Sequence, residues 1–153
     1  MGTRHLQSVI DKKGKLRISQ YGQWDGYPSG QGIDILKYLR GANLERYQRN
    51  LNKIKPITAK QIKQVEEFEN WNEAFYFLSR DCGARIHQMI EWGACPFVLL
   101  HNEQKSKAGC VGFFTIDFQK NTFTTEYEGT TKTYSLDELP TDEQYLSDMK
   151  DSD

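Results

Sequence analysis

Hydrophobic and polar positions alternate at the start of the chain. Leu6, Ser8 and Ile10 fall on one face of a strand expected from Thr3 to Ile10. Asp11-Lys12-Lys13-Gly14 reads as a hairpin turn, with glycine where φ > 0 is needed, and Leu16 to Tyr21 as the returning strand. The alternation then stops. The stretch Gly22-Gln23-Trp24-Asp25-Gly26-Tyr27-Pro28-Ser29-Gly30-Gln31-Gly32 holds four glycines and a proline in eleven residues, too many for a regular element.

A helical period takes over directly afterwards. Ile33, Ile35, Leu36 and Leu39 give the apolar face of a first helix that Gly41 stops. Asn43 is placed to cap a second helix, with Leu44, Tyr47, Leu51 and Ile54 on one stripe and Pro56 at its end. Thr58 is placed to cap a third, with Ile62, Val65 and Phe68 inward. A fourth is expected from Asn72 to Arg80, built on Ala74, Phe75 and Leu78. Asp81-Cys82-Gly83 interrupts, and a fifth runs from Ala84 to Trp92 with Ile86, Met89 and Ile90 inward. Strand patterning returns at Pro96 to His101. A polar loop, Glu103 to Lys107, separates it from a hairpin of Cys110–Phe118 and Thr122–Glu128, with Thr131–Ser135 as a further strand.

Two strands, a helical block, then three or four strands imply an α+β fold. A largely antiparallel sheet carries the helices, and the helical block is a long crossover between strands of one sheet. Residues 1–136 form one domain on this reading, and the tail 137–153, with seven acids, forms a frayed helix or loose end.

Composition narrows the picture. A chain of 153 residues fits one domain that can bury a core without metal or disulfide staples. The longest apolar run, Phe97 to Leu100, is far too short for a membrane span. Arg4 and His5 interrupt the start, so no secretory signal is expected, and Leu6 stands where a myristoylation motif wants Ser or Thr. Cys82, Cys95 and Cys110 are odd in number and lack CxxC spacing; they read as reduced thiols of a cytoplasmic protein.

The net charge of −1 conceals a split. Residues 1–64 carry 13 Lys and Arg against 4 Asp and Glu, and residues 65–153 carry 7 against 17. Packing of the two halves, with the basic helix turned to water, explains this more simply than a nucleic-acid surface, because no nucleic-acid motif accompanies the charge.

The Gly-rich bend is the place for chemistry. A strand that empties through glycines into a helix presents unpaired N–H groups at a positive helix end, which suits an anion. Ser29 or Gly30 would cap the helix, and Gly30 and Gly32 would admit a ligand close to the backbone. Trp24 and Tyr27 could stack on a flat ring, and Asp25 could accept hydrogen bonds from it. The equal alternative is a tight connection whose Trp and Tyr fill the core. Neither a dinucleotide fingerprint nor a phosphate-loop motif is present. Arg4 and His5 leave the first strand on opposite faces, so only one can share a pocket; Arg4 is either half of a buried ion pair or an anion ligand, and His5 a half-buried, satisfied histidine. Asp81 is expected to cap the fifth helix and pair with Arg85, which leaves Arg80 for a ligand. Cys82 reads as structural. His5, His87 and His101 have no metal spacing, so neither metal nor cofactor is expected.

The opening Gly2-Thr3-Arg4-His5-Leu6, the segment Gln20 to Gly32, Arg80-Asp81-Cys82-Gly83-Ala84 and Ile116-Asp117-Phe118 together resemble a family of uncharacterised proteins of phages and bacteria. That resemblance implies a viral or prophage setting. A second likeness is architectural: small N-terminal-nucleophile hydrolases begin Met-Cys, and here Gly2, without a nucleophile, stands at the cysteine's place. Thr3 would need further trimming to replace it.

The leading expectation is therefore a binder of a nucleotide-like or other anionic small molecule, without catalysis, acting by sequestration or by inhibiting a host pathway. Arg4, Trp24, Asp25, Tyr27, Ser29, Gly30, Gly32 and Arg80 would form its site. It would assemble as a homo-oligomer, since small binders often complete pockets between subunits. One alternative is a small hydrolase using Asp25, His5 or Asp81 as acid or base. Another is a protein-interaction module presenting the basic helix around Arg46 and Lys53 to an acidic partner.

Overall fold

The computed structural model describes residues 2–98 and 109–151. Its main sheet has five strands in the order β2-β1-β5-β6-β7: β1 (His5–Ile10), β2 (Leu16–Gly22), β5 (Gly112–Asp117), β6 (Thr122–Tyr127) and β7 (Thr130–Ser135). All neighbours are antiparallel except β1 and β5, which run parallel with His5 opposite Gly112 and Ile10 opposite Asp117. The helices α1 (Ile33–Gly41), α2 (Leu44–Leu51), α3 (Ala59–Glu66), α4 (Trp71–Ala74) and α5 (Arg85–Glu91) lie between those two strands in sequence. The expected α+β class and the long crossover are both present. A pair of two-residue strands, β3 (Lys55–Pro56) and β4 (Phe97–Val98), runs parallel beside the block. Residues 99–108 hold the rest of the expected Pro96–His101 strand, the Glu103–Lys107 loop and His101; they lie outside the described residues. No described helix is long and apolar enough to cross a membrane.

Local chemistry sets these elements. Gly14 takes φ +82°, and Asp11 Oδ1 accepts from the Lys13 and Lys15 N–H groups at 2.9 Å, which closes the first hairpin. Between the pairs Val9–Ile18 and Ile10–Leu16 the register slips, so Arg17 has no partner across the ladder. That bulge frees its guanidinium, which donates to the carbonyls of Leu51, Asn52 and Ile54 and so closes the C-terminal end of α2. Asn43 caps α2 as expected, and Thr58 with Gln61 forms a full capping box on α3.

The helix-facing side of the sheet carries Val9, Ile18, Phe114, Ile116 and Phe123, all essentially buried. Tyr47 of α2 and Ile86 and Ile90 of α5 seal it. Glu91, itself buried, draws three elements together: it accepts from Tyr38 Oη at 2.9 Å and from the Asn43 N–H at 3.0 Å, and pairs with Arg46. Tyr38 of α1 is thereby fixed against α5.

Several expectations need correction. The second helix stops at Leu51 instead of running to Pro56, and Lys55–Pro56 form β3. The helix expected from Asn72 to Arg80 breaks: α4 ends at Ala74, Phe75 leaves helical dihedrals (φ −123°, ψ 58°), and Tyr76–Leu78 form a single 3-10 turn. Phe77, Leu78 and Ser79 are buried consecutively, which one face of an α-helix cannot do, and the side chain of Gln20 takes the carbonyls of Phe77 and Ser79. Phe68 is half exposed rather than core. Of the two forms expected for the acidic tail, a helix is present. Thr141 caps a helix α6 (Asp142–Asp148), whose Tyr145 is buried and shares a hydrogen bond of 2.8 Å with Thr125 of β6.

Candidate functional site

The bend after β2 is held by its own backbone. The Gln23 N–H donates to Arg80 O (3.1 Å), the Gly26 N–H to Thr3 O (2.9 Å), and the Gln31 N–H to Asp25 O (2.8 Å). Asp25 sits in the left-handed region at φ 58°, a costly conformation for a residue with a Cβ, and Pro28–Gly32 form one wide π-helical turn that runs into α1.

Those bonds answer the anion question. The Gly30 N–H donates to Tyr27 O, and the Ser29 N–H donates to the carboxylate of Asp151 at 2.9 Å. The helix start does attract an anion, and the chain supplies it from its own C-terminal segment. The glycines serve close packing. A Cβ on Gly32 would meet the Tyr145 ring, and one on Gly30 would meet Asp25.

A cleft of about 600 Å³ opens on the other side of the bend, between α1 and α5. Gln31, Asp34 and Tyr38 line one wall at a spacing of three and four, one face of a helix; Asp81, Arg85 and Gln88 line the other with the same period. Trp24, Asp25, Cys82 and Ala84 complete the lining. Trp24 is 48% exposed, and its indole N–H donates to Asp81 Oδ1 at 2.8 Å, which orients the ring. Gln31 braces the walls: its amide nitrogen donates to Trp24 O (3.2 Å) and its oxygen accepts from the Ala84 N–H (2.8 Å). Gln31 thus does for α5 what Asp81 was expected to do. Arg85 likewise does not pair with Asp81; it donates to Tyr76 Oη at 3.0 Å, and Tyr76 Oη donates to Asp81 O.

Of the expected site residues, Trp24, Asp25 and Asp81 reach this cleft. Arg4, Tyr27, Ser29, Gly30, Gly32 and Arg80 do not line it. Arg4 lies against Gly109, Tyr27 Oη donates to Asp25 Oδ1 from outside, and Arg80 is exposed. Sequence reasoning missed Gln31, Asp34, Tyr38, Arg85 and Gln88. For all but Gln31, which belongs to the bend, the signal was available as polar residues at helical spacing on the hydrophilic faces of the first and fifth helices.

The lining carries three carboxylates (Asp25, Asp34, Asp81) and one cation (Arg85), a formal balance of −2. Partial burial raises the Asp34 carboxyl above its ordinary range, and the neighbouring Asp25 charge adds to the rise while Lys37 and Arg85 oppose it. Burial pushes the Cys82 thiol up to about 12, so it is no nucleophile at neutral pH. Among the described residues no group of three His, Cys, Asp or Glu side chains could hold a metal.

Beneath the bend lies a buried polar patch. His5 is fully buried, not half-buried and satisfied, and neither ring nitrogen finds a partner among the described residues. His87 bridges Tyr47 Oη (2.8 Å) and Gln7 Oε1 (2.6 Å). Gln7 Oε1 can only accept, so His87 carries its proton on Nε2 and accepts from Tyr47 on Nδ1. Desolvation holds His5 down to about 4, against a smaller opposing pull from Asp25, and holds His87 down to about 3. Both are neutral, and neither lines the cleft.

No family model, curated protein or solved structure matches the chain.

Proposed function

We propose that the chain is a small-molecule-binding protein whose ligand carries a positive charge, a primary amine or guanidinium, on a compact polar body. One observation carries this reading: three carboxylates and one arginine line a cleft together with an oriented, half-exposed indole. A cation gains from the carboxylates and from the indole face together. The anionic ligand expected from the glycines loses its support, because Asp151 occupies the Ser29 amide and Arg4 and Arg80 lie outside the cleft. Phage origin and sequestration of a host metabolite accord with a binder of this size, and they rest on the resemblance described above.

Calorimetry with agmatine and putrescine, against AMP as the anionic counterpart, tests the proposal. Agmatine or putrescine should bind, and Trp24→Ala and Asp34→Asn should each weaken binding about tenfold, the order of one desolvated cation contact. Binding of AMP alone, or amine binding indifferent to both substitutions, would refute it. The raised Asp34 carboxyl beside Asp25 favours a second reading, a small hydrolase with paired carboxylates. That reading requires turnover that Asp34→Asn abolishes while leaving binding in place.

A further inference from the structure

A second concavity, of about 660 Å³, lies between the β1–β2 turn and the C-terminal end of α2, and it shares no residue with the Trp24 cleft. Its cations are Lys12, Lys13, Lys15 and Arg17. Its one acid, Asp11, is buried and uses Oδ1 to hold the Lys13 and Lys15 amides. The two ion pairs among the described residues are Arg40–Asp142 and Arg46–Glu91, so none of the four cations is neutralised by the described part of the chain. The three lysines are exposed on a turn fixed by Gly14. Arg17 is fixed too, because one of its guanidinium nitrogens donates to all three carbonyls at the end of α2. Three exposed ammonium groups around one anchored guanidinium form a concentrated positive field in a shaped groove.

We infer that this groove binds the phosphate backbone of double-stranded nucleic acid, without reading its sequence. The three exposed lysines and the anchored guanidinium of Arg17 supply the phosphate contacts. No aromatic ring lines the groove, so single strands lack the stacking platform on which their binding usually depends. The inference stands apart from the proposed ligand cleft and survives or fails independently of it.

Fluorescence polarisation with a labelled 20-base-pair duplex, and with one of its strands alone, tests this over a salt series. With four phosphates neutralised, log K should fall against log salt with a slope of about −3.6, roughly a 150-fold loss from 50 to 200 mM. Lys13→Ala/Lys15→Ala should halve that slope, to about −1.8. Lys132→Ala, an exposed lysine on β7 at the far edge of the sheet, should leave it unchanged. Circular dichroism and the thermal midpoint of each variant should match the parent, since the replaced side chains are solvent-exposed. No duplex binding at 50 mM salt overturns the inference. So does a slope that the double variant leaves intact, tighter binding of the single strand, or tighter binding of polyglutamate than of duplex.

Discussion

Replacing Gly32 with alanine tests whether the C-terminal helix belongs to the core. Gly32 has ordinary helical dihedrals (φ −57°, ψ −51°), so its backbone tolerates alanine, and helix propensity alone would favour the change by about 1 kcal/mol. The space does not tolerate it. The new Cβ would press into Tyr145 Oη, with Cζ at 3.0 Å and Cε2 at 3.1 Å. Tyr145 is fully buried and its hydroxyl is engaged with Thr125, also fully buried, so the ring cannot swing aside without breaking a buried hydrogen bond. Overpacking costs about 1–3 kcal/mol and the disrupted bond about 1–2 kcal/mol; less the propensity gain, Gly32→Ala should destabilise by about 2 kcal/mol. Tyr145→Phe removes the atom in closest conflict and should by itself cost about 1–2 kcal/mol, because it orphans the Thr125 hydroxyl. In the Tyr145→Phe background, Gly32→Ala should cost about 1 kcal/mol or less, a coupling of about 1–2 kcal/mol. Urea unfolding of the four proteins, followed by circular dichroism, measures the cycle. Equal costs of Gly32→Ala in the two backgrounds, or a stabilisation in the parent, would refute the reasoning.

Two further outcomes follow from groups already placed. His5 and His87 titrate lower in the folded chain (about 4 and about 3) than at their ordinary 6.5, so between these values the unfolded chain holds more protons. Stability should be full above pH 6.5 and fall on acidification toward 4, by up to about 1.4 kcal/mol per pH unit for each histidine; urea midpoints that hold constant from pH 7.5 to 5 would contradict this. Asp151→Ala should cost about 0.5–2 kcal/mol, as loss of a helix cap does, and should speed hydrogen exchange at the Ser29 amide; unchanged exchange there would deny the contact.

Most of the fold could be read before it was seen, because its elements carry their own punctuation. Gly14, the Asn43 and Thr58 caps and the strand patterning of β5 to β7 are local signals, and each marks where an element begins or turns, although α2 stops at Leu51, short of the expected Pro56. The broken fourth helix was illegible for a tertiary reason: the carbonyls of Phe77 and Ser79 are taken by Gln20, some sixty residues earlier in the chain. The candidate site was half legible. Glycine density pointed to the bend, and Trp24 and Asp25 were found there. Asp34, Tyr38, Arg85 and Gln88 looked like solvated helix faces until packing turned α1 and α5 toward each other. The glycines themselves misled. Exposed amides and close packing demand the same residue, and only the positions of Tyr145 and Asp151 distinguish the two uses.

The parallel pairing of β1 with β5 also constrains how this protein comes into being. His5 faces Gly112, so the central seam of the sheet joins segments roughly a hundred residues apart, and such non-local closure slows folding. On the ribosome the first hairpin emerges early with one side of β1 bare, and it stays bare until β5 is synthesised. During that interval the nascent chain presents a strand edge open to other chains. The unfinished chain is thus most open to misassociation along that edge, a hazard that the finished sheet removes.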